Sequence, residues 1–480
     1  MSSDGSVLAI GANLNDSANG FDSGHVRVYV WNGAAWIQRG ADIDGKYAAD
    51  WSGWSVAMSS DGSVLAIGAP SNDGNGSNSG HVRVYVWNGA AWIQRGADID
   101  GEAAFDASGH AVALSSDGSV LAIGAYNNGV SSGHVRVYVW NGAAWIQRGA
   151  DIDGEAAGDG SGWSVALSSD GSVLAIGAPF NDGVNGLDSG HVRVYAWDGA
   201  AWNQRGADID GEAAVDWSGL PVALSSDGSV LAIGASSNDG VNGLDSGHVR
   251  VYVWNGIAWN QRGADIDGEA ANDFSGYSVA LSSDGSVLAI GALGNDGING
   301  LNSGHVRVYV WNGISWNQRG ADIDGEAADD RSGRAVALSS DGSVLAIGAY
   351  FNDGVNGLDS GHVRVYVWNG IAWIQRGADI DGEAAGDQSG YSVALSSDGT
   401  NLAIGAYLNN GVNGADSGHV RVHDYSTPSP TPAPTPAPVV PTSTTTSAPT
   451  SAPTSGGCCA ERLAKFVSSA ASQISSFFGN

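Results

Sequence analysis

Six times in this sequence a loop reads Asp-x-Asp-Gly-Glu-Ala-Ala-x-Asp, and that spacing is where its chemistry is concentrated. The copies are Asp98/Asp100/Glu102/Asp106, Asp151/Asp153/Glu155/Asp159 and Asp208/Asp210/Glu212/Asp216, followed by Asp265/Asp267/Glu269/Asp273, Asp322/Asp324/Glu326/Asp330 and Asp379/Asp381/Glu383/Asp387. An earlier copy carries Lys46 where the others carry Glu. Calcium takes about six to eight oxygen ligands, so carboxylates at loop positions 1, 3, 5 and 9 make these residues candidate calcium ligands. Loops of that kind usually place Gly at position 6 for the sharp turn, whereas this chain has Gly at 4 and Ala at 6. The competing reading is a turn, then one helical turn at Glu-Ala-Ala, with the acids left in solvent.

Eight of the ten histidines recur at one position, from His25 and His81 to His362 and His419, each two residues before an Arg. A catalytic centre needs unlike groups converging at one place, but these are spread one per repeat, so a structural role is expected. The arginines are expected to pair with the repeated Asp. Trp pairs such as Trp31/Trp36 and Trp87/Trp92 flank a tight turn and should pack across it. No Ser/His/Asp, Cys/His, phosphate-loop or zinc pattern occurs, and no enzyme is expected.

A third set of residues varies while everything around it repeats. Positions after Leu-Ala-Ile-Gly-Ala and beside a recurrent Ser-Gly hold Trp51, Trp54, Tyr126, Trp163, Trp217, Tyr277, Tyr350, Tyr391 and Tyr407. Aromatic side chains are common interface anchors, and variable loops on a fixed scaffold suit a binding face. These nine are the candidate ligand-binding residues. Drift at permissive positions, or plugging of a central channel, would account for them equally.

The elements that must hold these residues follow from a unit of about 57 residues. In the copy beginning at Ser161, Ser164-Val165-Ala166-Leu167 reads as a strand, A. Ser169-Asp170-Gly171 is a hairpin turn. Val173 to Gly177 is an apolar strand, B, expected to be buried on both faces. His191 to Trp197 alternates as strand C. Trp202 to Arg205 is strand D, and Asp208 to Gly211 opens the connection to the next strand A. Strands B and C occur eight times, A and D seven times. Four antiparallel strands per unit predict an all-β fold, a β-propeller of four-stranded blades. Eight blades are favoured; seven would result if the segment 36–42 completed the last one. A β-solenoid would need shorter coils.

The pattern Ser-Gly-x-Ser-Val-Ala, Leu-Ala-Ile-Gly-Ala and Gly-His-Val-Arg-Val-Tyr resembles the FG-GAP repeats of integrin α-subunit propellers over residues 1–425. Ser-Gly stands where that family has Phe-Gly. The family's calcium loop lies between strands A and B, where this chain has only a tight Ser-Asp-Gly turn, so the resemblance carries no calcium site to that place.

Strand alternation puts the D–A and B–C connections on one side, and with them 39 of the 50 carboxylates. The net charge of −30 disfavours nucleic acid and anionic lipid. Two domains follow the propeller: a Pro/Thr/Ser-rich stalk over 426–457, and a segment over 458–480 that holds Cys458 and Cys459. Leu463, Phe466, Val467, Ala470 and Ile474 give that segment helical amphipathic spacing, which suits docking on a membrane or a partner. No run of apolar residues is long enough to span a bilayer, and no signal peptide is visible. The opening Met1-Ser2-Ser3-Asp4-Gly5 repeats Met58-Ser59-Ser60-Asp61-Gly62, so a strand D and a strand A are expected upstream. Stalk and repeats predict an extracellular or cell-surface adhesion module binding a protein or glycan. The alternative is a structural surface protein gathering divalent cations or mineral through its carboxylates.

Overall fold

The structure, a computed structural model, describes residues 1–410 and 417–425. They form eight antiparallel sheets in chain order, spanning residues 7–44, 55–100, 111–153, 164–210, 222–267, 275–324, 335–381 and 392–424, called here blades 1 to 8. In blade 4, strand A (Ser164–Leu167) pairs with B (Val173–Ala178), B with C (His191–Trp197), and C with D (Trp202–Gln204). One helical turn, Asn128–Ser131, interrupts the B–C connection of blade 3.

Strand D differs from the sequence expectation. It breaks after Gln204 and resumes at Ile209–Asp210, which pairs with Val192 and His191. Gly206 makes the break with φ +91, a conformation that favours glycine. The first two acids of each D–A motif therefore belong to the end of strand D rather than to a free loop.

The core lies between blades. Val173 and Ala175 of strand B face one neighbour, where they cluster with Leu231, Ile233 and Tyr252 of blade 5. Leu174 and Ile176 face the other, packing against Val120, Ala122 and Val137 of blade 3. Both faces of strand B are buried, as its unbroken apolar run predicts. Each fully buried Leu or Ile contributes about 1.5–3 kcal/mol.

Glycines permit this close stacking. A Cβ on Gly124 of blade 3 would stand 2.1 Å from the carbonyl oxygen of Gly162, which leads into strand A of blade 4. Gly162 itself sits at φ +91.

The ring closes. Ser60 N–H donates to the Ser116 carbonyl, Ser116 to Ser169, and so on through Ser226, Ser283 and Ser340 to Ser397; Ser397 donates to Ser3, and Ser3 to Ser60. This belt of eight hydrogen bonds includes the junction between blades 8 and 1. Residues 36–38 pair with strand C of their own blade, which excludes the seven-blade alternative. Blade 1 lacks strand A and blade 8 lacks strand D among the described residues. The stalk and the segment with Cys458 and Cys459 lie outside those residues.

Candidate ligand-binding face

The D–A and B–C connections lie against each other. Asn185 Nδ2 donates to the Gly211 carbonyl at 2.6 Å. Trp217 N–H donates to the Asp188 carbonyl, and Gly190 bridges Ser218 in parallel. The two acid-rich sets of connections therefore share one side of the disc, as the strand alternation requires.

Within that side, each D–A motif divides its four carboxylates among separate partners. The first acid accepts from the Gln of strand D, as in Gln204 Nε2 to Asp208 Oδ1 at 2.6 Å; Gln94, Gln147, Gln261, Gln318 and Gln375 serve Asp98, Asp151, Asp265, Asp322 and Asp379. The second acid uses its backbone: the carbonyls of Asp100, Asp153, Asp210, Asp267, Asp324 and Asp381 accept from the strand C Arg of the next blade. In these blades the expected Arg–Asp pairing is thus to a main-chain oxygen, whereas in blade 1 Arg27 Nε donates to the Asp42 carboxylate at 3.0 Å.

The third acid faces the strand C His and Arg of the blade it leads into: Glu155 Oε2 stands 3.9 Å from His191 Nδ1, and Oε1 3.7 Å from Arg193. Glu102, Glu212, Glu269 and Glu326 face the His and Arg of the blades they lead into in the same way. Burial, then the neighbouring Arg, pushes His191, His248, His305 and His362 down to about 4, so they are neutral at neutral pH. Glu383 departs furthest from the expected calcium set. Its side chain is 56% exposed and turns to His419, with Oε2 3.4 Å from Nδ1, while Asp379 is held by Gln375 and Asp387 by the turn. Among the described residues blade 8 has no strand D to cover this carboxylate.

The fourth acid is buried rather than solvated. Asp216 Oδ2 accepts the N–H groups of Glu212 and Ala213 and the Asn238 amide at 3.0 Å. Asp106, Asp159, Asp273, Asp330 and Asp387 hold the same turn. No helix forms at Glu-Ala-Ala; the turn is closed by this Asp instead.

All nine aromatic candidates fall into two arcs, beside the starts of the inner strands. In the first, Trp51 stacks on Trp54 at 5.8 Å, and Trp54 meets His110 at 5.8 Å. His110 touches Tyr126 and Trp163 at 4.6 and 4.8 Å; Trp163 touches Phe180 at 5.3 Å, and Phe180 reaches Trp217 at 6.3 Å. In the second, the Arg334 guanidinium lies 5.1 Å from Tyr277, 5.9 Å from Tyr350 and 4.4 Å from Tyr391, which contacts Tyr407 at 4.4 Å. Trp54 and Tyr407 are the most exposed of the nine, at 39% and 45%.

The residue before each Ser-Gly is left-handed: Trp51, Ala107, Trp217, Phe274, Arg331 and Gln388 have φ between 53 and 56, and Gly160 has 63. A side chain there costs about 1–2 kcal/mol relative to glycine.

The glycine pair that lets neighbouring blades meet, Gly124 against Gly162, involves the Gly of Ile-Gly-Ala and the Gly of Ser-Gly, the two fixed points of the repeat. A family model described as FG-GAP repeat matches residues 44–86, 152–195 and 266–310. The chain carries FG-GAP repeats. Each match runs from the end of one strand D through strands A, B and C of the next blade, so the FG-GAP unit is offset from the blade by one outer strand. No curated protein matches the sequence. Among solved structures, Sqt1 from Chaetomium thermophilum is similar at a TM-score of 0.50 and 16% identity, over 79% of this chain and 83% of that one. The periplasmic gluconolactonase PpgL of Pseudomonas aeruginosa is similar at 0.49 and 16%, over 79% and 96%. At such identities the likeness concerns fold alone.

The sequence reading left His110, Phe180 and Arg334 out of the candidate ligand-binding residues, although they join the aromatic residues into arcs. It also missed the Arg after strand D. Arg148 of blade 3 lies 4.6 Å from the Trp197 ring of blade 4 and donates to the Gly171 carbonyl. The signal was there, since Trp-x-Gln-Arg recurs with the Trp pair, but the partner is some 50 residues away and only the ring brings it close.

Proposed function

We propose that this FG-GAP propeller is a non-catalytic recognition or adhesion module, working outside the cell or at its surface, that binds a protein or glycan ligand through the acidic D–A/B–C face. The observation that carries the reading is the pair of aromatic arcs on that face. Aromatic rings give large contact area at little conformational cost and stack on sugar faces or apolar side chains. The left-handed backbone at Trp51, Trp217, Phe274 and Arg331 supports it: bulky residues occupy positions where Gly160 shows that glycine fits. Surrounding carboxylates favour a basic or hydroxyl-rich ligand. The histidines repeat one per blade with similar neighbours, which suits a scaffold better than a reaction centre. A calcium ion held by a single D–A motif is not part of the proposal, because the four carboxylates of each motif serve different partners.

The test is a glycan and protein array probed with the full chain, and with Trp54→Ala/Trp163→Ala and Tyr391→Ala variants. A ligand whose binding falls at least about tenfold in the aromatic variants supports the reading. Binding that ignores those aromatics and tracks the number of carboxylates instead would favour the cation-gathering or mineral-binding alternative.

A further inference from the structure

The third acid of each motif, the strand C histidine and the first acid of the following motif meet. Ligand-capable atoms of Glu102, His134 and Asp151 lie within 4.8 Å of one another, and so do those of Glu155, His191 and Asp208, and of Glu212, His248 and Asp265. Blades 6 and 7 repeat the arrangement, with His305 Nδ1 3.8 Å from Glu269 and His362 Nδ1 3.7 Å from Glu326. Each set combines one crossover residue with two residues of the blade that the crossover enters. In blade 8 the described residues include Glu383 and His419 without the first acid of a following motif.

The histidines of blades 3 to 7 are 1% exposed, and Nε2 of all five has no hydrogen-bond partner. Nδ1 is aimed at the carboxylates, 3.7–4.0 Å from Glu and beyond hydrogen-bond reach. In each set the buried Nδ1 faces the Glu carboxylate without bonding to it, while the Asp keeps its bond from the strand D Gln and the Glu stands 3.6–3.8 Å from the strand C Arg.

Blade 2 supplies an independent observation. Its His81 has both ring nitrogens unpartnered and stands 3.9 Å from Asp100, with Asp98 beside it. Here the crossover residue is Lys46 instead of Glu, and its ammonium bonds to Asp98. The one described crossover that gives up its Glu thus places a fixed positive charge on the same carboxylate.

We propose that the five His/Glu/Asp sets of blades 3 to 7 each bind one divalent transition-metal ion, and that Lys46 is the built-in cation of the corresponding place in blade 2. One imidazole nitrogen with two carboxylate oxygens suits a borderline ion such as Zn²⁺ better than calcium, which takes oxygen ligands. Zinc bonds of about 2.0–2.2 Å require the set to contract. The Glu side chains, 43–47% exposed at these sites, have room to move inward. The bound ion would tie each crossover to the blade it enters, while remaining coordination positions stay open to water.

The experiment is native mass spectrometry and calorimetric titration of the full chain with ZnCl₂, and in parallel with CaCl₂. The expected stoichiometry is five zinc ions per chain, with calcium bound at least about tenfold more weakly. Glu155→Gln, an exposed and near-isosteric change, should lower the zinc count to four, and Lys46→Glu should raise it to six. Circular dichroism checks that each variant keeps its fold. A zinc count that neither substitution changes, or no zinc binding at all, overturns the proposal. Trp54→Ala/Trp163→Ala should leave the count at five, so metal binding and ligand binding fail or succeed separately.

Discussion

His110 shows how one side chain inside the first aromatic arc sets a pH limit. Burial among Trp54, Tyr126 and Trp163 pushes it down from its ordinary 6.5 to about 4. Between those values the unfolded chain binds a proton at this residue and the folded chain does not, so stability falls as pH drops from about 6.5 to 4. A His110→Phe variant should lose part of that dependence, seen as a shallower decline of the melting temperature across the window than in the parent protein. At the same scale, Gly124→Ala sets a Cβ against a backbone carbonyl at 2.1 Å, with no flexible side chain able to yield. The expected cost is more than about 2 kcal/mol, read as a lowered urea midpoint with circular dichroism intact at zero denaturant.

Between elements, one recurring directional link is the arginine that follows strand D. Arg95, Arg148, Arg205, Arg262 and Arg319 each lie 4.6–4.7 Å from a Trp ring of the next blade, and each donates to that blade's A–B turn carbonyl. In blade 8 the described residues hold no Trp pair, and Arg376 lies over Tyr425 at 4.8 Å instead. Arg205→Met keeps the stem's packing and removes both interactions. It should cost about 1–3 kcal/mol, with hydrogen-exchange protection lost first in the outer strands of blades 4 and 5. These contacts explain why Trp and Arg repeat so faithfully in a chain whose rim residues do not.

For the whole molecule, the serine belt is the feature that decides blade count and closure. Ser397 is the second residue of the turn that Gly399 N–H closes onto the Ser396 carbonyl, a place where proline is favoured. Ser397→Pro therefore removes the one N–H that joins blade 8 to Ser3 and leaves its own turn standing. A loss of about 1 kcal/mol is expected, with faster hydrogen exchange in the strands 7–12 and 401–406. The net charge of −30 acts at this scale too: the melting temperature should rise with sodium chloride as self-repulsion along the acidic face is screened.

How much of this was legible before the fold is clearest from particular residues. Strand B announced itself because Val173-Leu174-Ala175-Ile176 has no polar face to turn outward, and Asp170-Gly171 could only be a tight turn. The pairing of two connection families on one side followed from strand alternation, a rule that needs no coordinates. The partners of Asp208, Glu155 and Asp216 did not, since each of these acids in nearly identical sequence meets a different neighbour. Those neighbours are set by the bend at Gly206 and by the stacking of one blade on the next. Local order and period are written into the chain because they depend on residues close in sequence; which carboxylate meets which histidine depends on a ring closing over some 400 residues, and distances across such a ring exist only once it has closed.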